Sequence, residues 1–164
     1  MEKENLEKVE ETAVVEAENN YQVMGFDGLG RQTNTRTQVI TNITDSKKIF
    51  NLENKVDAMI NDCEGEMIRV KDVLIKRYEK PLENPIINEE TGEIEKEYDL
   101  SMSCVIVDDM GKSYATGSKT FTIQLMRYLQ LKARNNDKSE TFDIKIIKKK
   151  VGQNGNKALS FELV

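Results

Sequence analysis

The chain is 164 residues long, 38% apolar and 32% charged, with a formal net charge of −5 and no histidine. The missing imidazole excludes the commonest general base, the commonest zinc ligand and every histidine triad. No run of 18 apolar residues could span a bilayer, the acidic start lacks the apolar stretch of a signal peptide, and the lone Cys63 and Cys104 fit a reducing, cytoplasmic compartment.

Residues 1–20 hold seven Glu against two Lys, with Leu6, Val9, Ala13 and Val14 at loose helical spacing. So little apolar surface predicts a disordered tail or a frayed helix. Residues 21–34 contain Gly25, Gly28 and Gly30 and read as loop. From Thr35 to Thr44, Thr37, Val39 and Thr41 alternate with Gln38, Ile40 and Asn42, as in a strand. Thr44 or Asp45 can cap a short helix through Ile49 and Phe50, and Val56 to Ile60 reads as a further helical turn. Residues 21–64 thus form an N-terminal extension to a domain spanning 65–164.

The first strand of that domain runs from Glu66 to Tyr78. Ile68 and Val70 share one face, then Val73 and Ile75 take it over one residue out of phase, as a β-bulge requires. Residues 79–96, with Pro81, Pro85 and Glu89-Glu90-Thr91-Gly92-Glu93, read as a polar excursion. The second strand, Tyr98 to Val107, puts Tyr98, Leu100, Met102, Cys104 and Ile106 on one face. Asp108-Asp109-Met110-Gly111 is a tight turn into a third strand, Lys112 to Thr116. A helix over 119–134 starts near Ser118 or Thr120, carries Phe121, Leu125, Tyr128 and Leu129 inward, and ends at Asn135-Asn136. The fourth strand, Thr141 to Lys150, turns Phe142, Ile144 and Ile146 inward, and the fifth runs from Lys157 to Leu163. Asn154-Gly155 between them is a hairpin signal, because both central residues of a type I′ turn need positive φ.

Three strands, a helix and two strands make the chain order of a five-stranded OB-fold barrel, a mainly β class. That fold binds single strands on its strand 2–3 face and through loops that include the strand 4–5 connection. Here that connection is flanked by lysines. Residues 101–164 carry eleven bases and six acids, whereas residues 21–100 carry eleven bases and sixteen acids. Local basic stripes decide such binding, and the net charge does not.

The leading candidates for nucleic-acid contact are Lys145, Lys148, Lys149, Lys150 and Lys157. Neutralised phosphates release counterions, which supplies affinity without reading sequence. The plainer reading is an edge strand that lysines protect from aggregation. Lys112, Tyr114 and Lys119 form a second group, with Tyr114 as a stacking platform. The plainer reading there is a half-buried tyrosine, with Gly117-Ser118 as a helix cap. Arg69, Lys71, Lys76, Arg77 and Tyr78 on the first strand form a third group, for which a solvated outer face is the plainer reading. Asp108-Asp109 is a turn and not a metal site, Cys63 and Cys104 are small core residues, and Gly25 to Gly30 lacks the lysine of a phosphate-binding loop. No catalytic residue, metal or cofactor is expected.

Several stretches resemble the single-stranded DNA-binding proteins of phages and mobile elements of Gram-positive bacteria. They are Ile49-Phe50-Asn51, Val70-Lys71-Asp72-Val73-Leu74, Glu90-Thr91-Gly92-Glu93, Val107 through Ser118, and Ile147-Lys148-Lys149-Lys150 with Asn154-Gly155 and Leu159. The resemblance covers residues 45–164 and implies an OB-fold that protects single strands during replication, with replication proteins as further partners. A Gly-rich linker with an acidic C-terminal tip is absent, and the acidic segment is N-terminal instead. With 6% aromatic residues and no Trp, few rings can stack on bases, so modest affinity per protomer is expected, strengthened by a homo-oligomer or a cooperative array on DNA. The alternative is a protein–protein interaction module of a replication or conjugation complex; the lack of histidine and of a carboxylate cluster speaks against an enzyme.

Overall fold

The structure, a computed structural model, describes residues 19–26, 29–152 and 155–164. The acidic tail expected over residues 1–20 therefore lies outside the described residues, except where Asn19 and Asn20 begin a strand. Asn154 of the expected hairpin turn also lies outside them.

In chain order the elements are β1 (Asn19–Phe26), β2 (Gln32–Thr41), α1 (Ser46–Asn54), β3 (Ala58–Met59), a 3₁₀ turn (Ile60–Asp62), β4 (Met67–Ile87), β5 (Ile94–Asp108), β6 (Ser113–Thr116), α2 (Lys119–Arg134), β7 (Phe142–Val151) and β8 (Asn156–Leu163). The protein is mainly β: one curled, open sheet of eight strands and two helices among the described residues. Residues 65–164 hold five of these strands, β4 to β8, and the preceding segment adds β1, β2 and β3 among the described residues. β2 falls where the alternation of Thr35–Thr44 places a strand, whereas β1 and β3, at the two ends of the strand order, join through backbone pairing that the sequence does not advertise.

β4 organises the sheet. β5 runs antiparallel along one edge from Val70 to Ile87. The other edge is shared: β7 pairs with Met67–Val70 and β2 with Leu74–Glu79. The handover falls at the bulge between Val70 and Asp72, where the sequence periodicity slips. Backbone groups freed there are met by side chains. Asn42 accepts from Val73 N–H at 2.9 Å and donates to Lys71 C=O at 3.1 Å, while the Thr41 hydroxyl donates to Val73 C=O at 2.6 Å.

Three expectations change. The span 21–34 is not one loop, because β1 runs to Phe26 and β2 starts at Gln32, with Gly30 at φ 76° in the connection. Residues 79–96 are not an irregular excursion either. They continue β4 and β5 into a two-stranded ribbon closed at Asn88–Glu93, and the ladder shifts register between Pro81 and Ile86, where proline cannot donate. Val56 to Ile60 is not a helical turn; Ala58 and Met59 pair in parallel with Tyr114 and Ala115 of β6.

The helices start where capping chemistry places them. Asp45 accepts from Lys47 N–H at α1, and Ser118 accepts from Phe121 N–H at α2. Phe121, Leu125 and Leu129 recur every four residues and bury one stripe of α2 against the sheet. They meet Val73, Ile75, Cys104, Ile106, Ile144, Ile146, Leu159 and Phe161, with the rings of Phe121 and Phe161 edge to face at 5.1 Å. Cys63 and Cys104 are free and buried in this core. No helix among the described residues is long and apolar enough to cross a membrane.

Candidate nucleic-acid interface

The β7–β8 hairpin carries lysines on both faces, and its register sorts them. Ile144 and Ile146 face the core opposite Leu163 and Phe161. The same row continues outward as Lys148, opposite Leu159, and Lys150, opposite Lys157. Beyond the last core residue, three lysines therefore replace the apolar row. Like charges directly opposite on a sheet repel, so the Lys150–Lys157 pair costs stability unless an anion lies between them. Lys148 reaches Glu64 only at 3.9 Å, and Lys149, Lys150 and Lys157 have no ion-pair partner among the described residues. Lys145 and Lys149 occupy the opposite face, with Lys145 across from Glu162. All five lysines are exposed.

The β4 residues divide between faces and partners. Arg69 forms a two-point contact with Asp143, its cross-strand neighbour, at 2.9 and 3.3 Å. That contact holds the Asp143 carboxyl below the usual range and raises the guanidinium further. Arg77 pairs with Glu79 at 2.6 Å and lies on the face opposite Lys76 and Tyr78. Lys71 sits exposed in the bulge.

Lys76 and Tyr78 line a groove of about 240 Å³ between α1 and the outer sheet face. Its floor is Leu74, Lys76 and Tyr78 of β4, Ser103 and Val105 of β5, and Ala115 of β6. Register puts these in one patch, because Leu74 opposes Val105, Lys76 opposes Ser103, and Val105 opposes Ala115. Leu52, Glu53 and Lys55, at the end of α1, form its wall. Glu53 ties down Lys76 at 2.6 Å, and Tyr78 is half-buried.

Tyr114 is corrected. It is 8% exposed and packs in the core, with its hydroxyl 3.4 Å from the Asp108 carboxylate and Lys112 Nζ 5.1 Å from its ring. No ring face is open to a base. Burial and the nearby Asp108 charge raise its phenol pKa. Inward and outward strand neighbours are both covered here, Ser113 and Thr116 included, so polarity along β6 misleads. Lys119 is exposed as the first residue of α2, and the Ser118 cap beside it is structural.

Asp108 also proves structural, since its carboxylate accepts from Met110 and Lys112 N–H at 2.9 and 2.8 Å and so shapes the turn. Among the described residues no group of three or more Cys, Asp or Glu could hold a metal ion. The structure thus brings Lys148, Lys150 and Lys157 onto one face and Lys76 and Tyr78 into one groove. Sequence reasoning missed the groove wall, because the Glu53–Lys76 contact spans residues whose pairing no local pattern encodes. A scan against family models and searches of curated proteins and of solved structures find no match for this chain.

Proposed function

We propose that the protein binds single-stranded DNA with little sequence preference and is no enzyme. The observation that carries this reading is the lysine row Lys148, Lys150 and Lys157, two of whose members face each other across the hairpin. A protein that keeps such a repulsive pair exposed gains most from a polyanion that neutralises it. The strand order supports the reading: β4 pairs with β5 and β7, β5 with β6, and β7 with β8, with α2 between β6 and β7. On the OB-fold reading, β5 and β6 present the strand 2–3 face and β7–β8 is the strand 4–5 hairpin.

On that face the groove holds Tyr78, a half-buried ring, beside Lys76 and Lys55. Bases stack on such a ring while the Lys55 ammonium follows the backbone, Lys76 being held by Glu53, and this combination tolerates any sequence. Tyr78 therefore takes the role that Tyr114 cannot fill. Replication or mobile-element transfer is the setting in which such a protein protects exposed strands. Fluorescence anisotropy with labelled oligo-dT, the matching RNA and a duplex over a salt series tests the reading. Preferential binding of the single strand that weakens with salt supports it; equal or absent binding contradicts it.

A further inference from the structure

The β4–β5 ribbon beyond the core is a second charged hairpin, of the opposite sign. Residues 79–99 hold eight acids and two lysines. Glu79 and Asp99 have ion-pair partners within the ribbon or beside it, whereas Glu89, Glu90 and Glu93 at the tip are exposed. Between these carboxylates sit three bare isoleucines: Ile86, Ile87 and Ile94 are 50%, 54% and 58% exposed, and Ile87 directly opposes Ile94. Nothing within the chain covers this apolar pair among the described residues. An isolated ribbon tip that exposes isoleucine is a contact surface or an aggregation hazard.

The register of β4 shows where the complement lies. The acidic ribbon grows from the C-terminal end of this 21-residue strand. β7 pairs antiparallel with the other end, Lys145 opposite Met67, and then runs past it into the basic hairpin. The two hairpins therefore leave opposite ends of one strand, whose path is up to roughly 70 Å at 3.3 Å per residue. Between Lys145 and Lys157 the sequence carries five lysines and no acid.

We infer that the acidic ribbon tip of one copy docks on the basic β7–β8 hairpin of a second copy, head to tail. Carboxylates of Glu89, Glu90 and Glu93 straddle the hairpin and meet the ammonium groups of Lys150 and Lys157 on one face and of Lys149 on the other. The lysine stems lie over Ile87 and Ile94 and remove them from water. Two different surfaces form this contact, so it does not close on itself as a two-fold dimer does; it propagates from copy to copy, as a chain or a ring.

The contact shares Lys150 and Lys157 with the proposed DNA row, so docking and strand binding compete for them; it is tested without nucleic acid, by sedimentation of the full chain over a concentration series. In about 0.05 M salt the average mass should climb with concentration to at least twice the 18.8 kDa protomer, and in about 1 M salt, where the screening length is about 3 Å, it should return to the protomer. The ribbon variant E89K/E90K/E93K and the hairpin variant K149E/K150E/K157E should each stay monomeric at low salt. Their equimolar mixture should associate, because each supplies the surface the other has lost. This recovery also shows that both variants are folded. A monomeric parent, a ribbon variant that associates like the parent, or a mixture that stays monomeric overturns the inference. Loss of oligo-dT binding would bear on the proposed function alone.

Discussion

The side-chain amide of Gln124 pairs with both backbone polar groups of Phe161. Its Nε2 donates to the Phe161 carbonyl at 2.7 Å, and its Oε1 accepts the Phe161 N–H at 3.2 Å. The Ser160 hydroxyl donates to the same oxygen at 2.7 Å. Phe161 and Ser160 are buried on β8, whose backbone pairs with β7 along one edge. A glutamine on α2 thus acts as a one-residue strand on the other edge, where the open sheet leaves the ladder unfinished.

Gln124→Leu keeps the bulk and removes the amide. Two buried backbone groups and a hydroxyl then lose their partner, which should cost about 2–4 kcal/mol. Chemical denaturation measures this directly. A loss below about 0.5 kcal/mol would mean that water or a shift of β8 replaces the amide. Phe121→Ala, which empties the adjoining core, should cost about 3–5 kcal/mol.

Tyr78→Ala should weaken oligo-dT binding by about 1–3 kcal/mol and leave the salt slope unchanged, because stacking releases no counterions. Tyr114→Phe should leave binding unchanged, since that ring is shut in the core. Anisotropy titrations at two salt concentrations separate the outcomes. A variant at Tyr78 that binds like the parent would remove the groove from the interface.

Burial pushes the Cys63 thiol up to about 11 and the Cys104 thiol up to about 12. Thiolate is the reactive form, so neither cysteine should react readily with a disulfide reagent near pH 8 in the native protein. Both should react at once in denaturant. Spectrophotometric thiol counting checks this, and rapid native labelling at either site would contradict the core packing.

Three carboxyls titrate low in the folded state. Asp57 is held down by hydrogen bonds from Ser113, Asp137 by those from Ser139, and Asp143 by the Arg69 guanidinium. A folded pKa below the unfolded one gives stability that is complete above the unfolded value, about 4, and is lost as pH falls through the folded value. The melting temperature should therefore drop on acidification below about pH 4, and Asp143→Asn should shrink that drop. With no histidine in the chain, stability should stay nearly flat from about pH 5.5 to 8. A transition inside that window, seen by thermal melting, would contradict this.

Much of the fold was legible where one pattern had one physical cause. The four-residue recurrence of Phe121, Leu125 and Leu129 between Ser118 and Asn135 marks α2, whose span matches the expectation of 119–134. The phase slip between Val70 and Val73 marks the bulge. The outer ribbon, residues 83–97, was not legible, because its two strands pair with each other and stay exposed almost throughout, so no alternation marks them. β1 was hidden because Gly25, with Gly28 and Gly30 beyond it, reads as loop, and its pairing with β2 is set by register. At the site, the lysines around Asn154-Gly155 could be read directly, but their sorting into rows depends on the register of β7 against β8. Glu53 and Lys76 meet only because α1 lies across the outer face of the sheet, and the Asp45 cap says where α1 starts without saying what it covers.

The most direct measurement is the salt dependence of oligo-dT binding by the parent and by Lys148→Ala/Lys150→Ala/Lys157→Ala. The parent should show a negative slope of log K against log salt, about 0.7 for each phosphate contact. Removing the three-lysine row should flatten that slope by about two units while the melting temperature holds or rises, because the Lys150–Lys157 repulsion goes with it. A triple variant with the parent's affinity and slope would reduce the lysines to edge protection and contradict the assignment of this hairpin to nucleic acid.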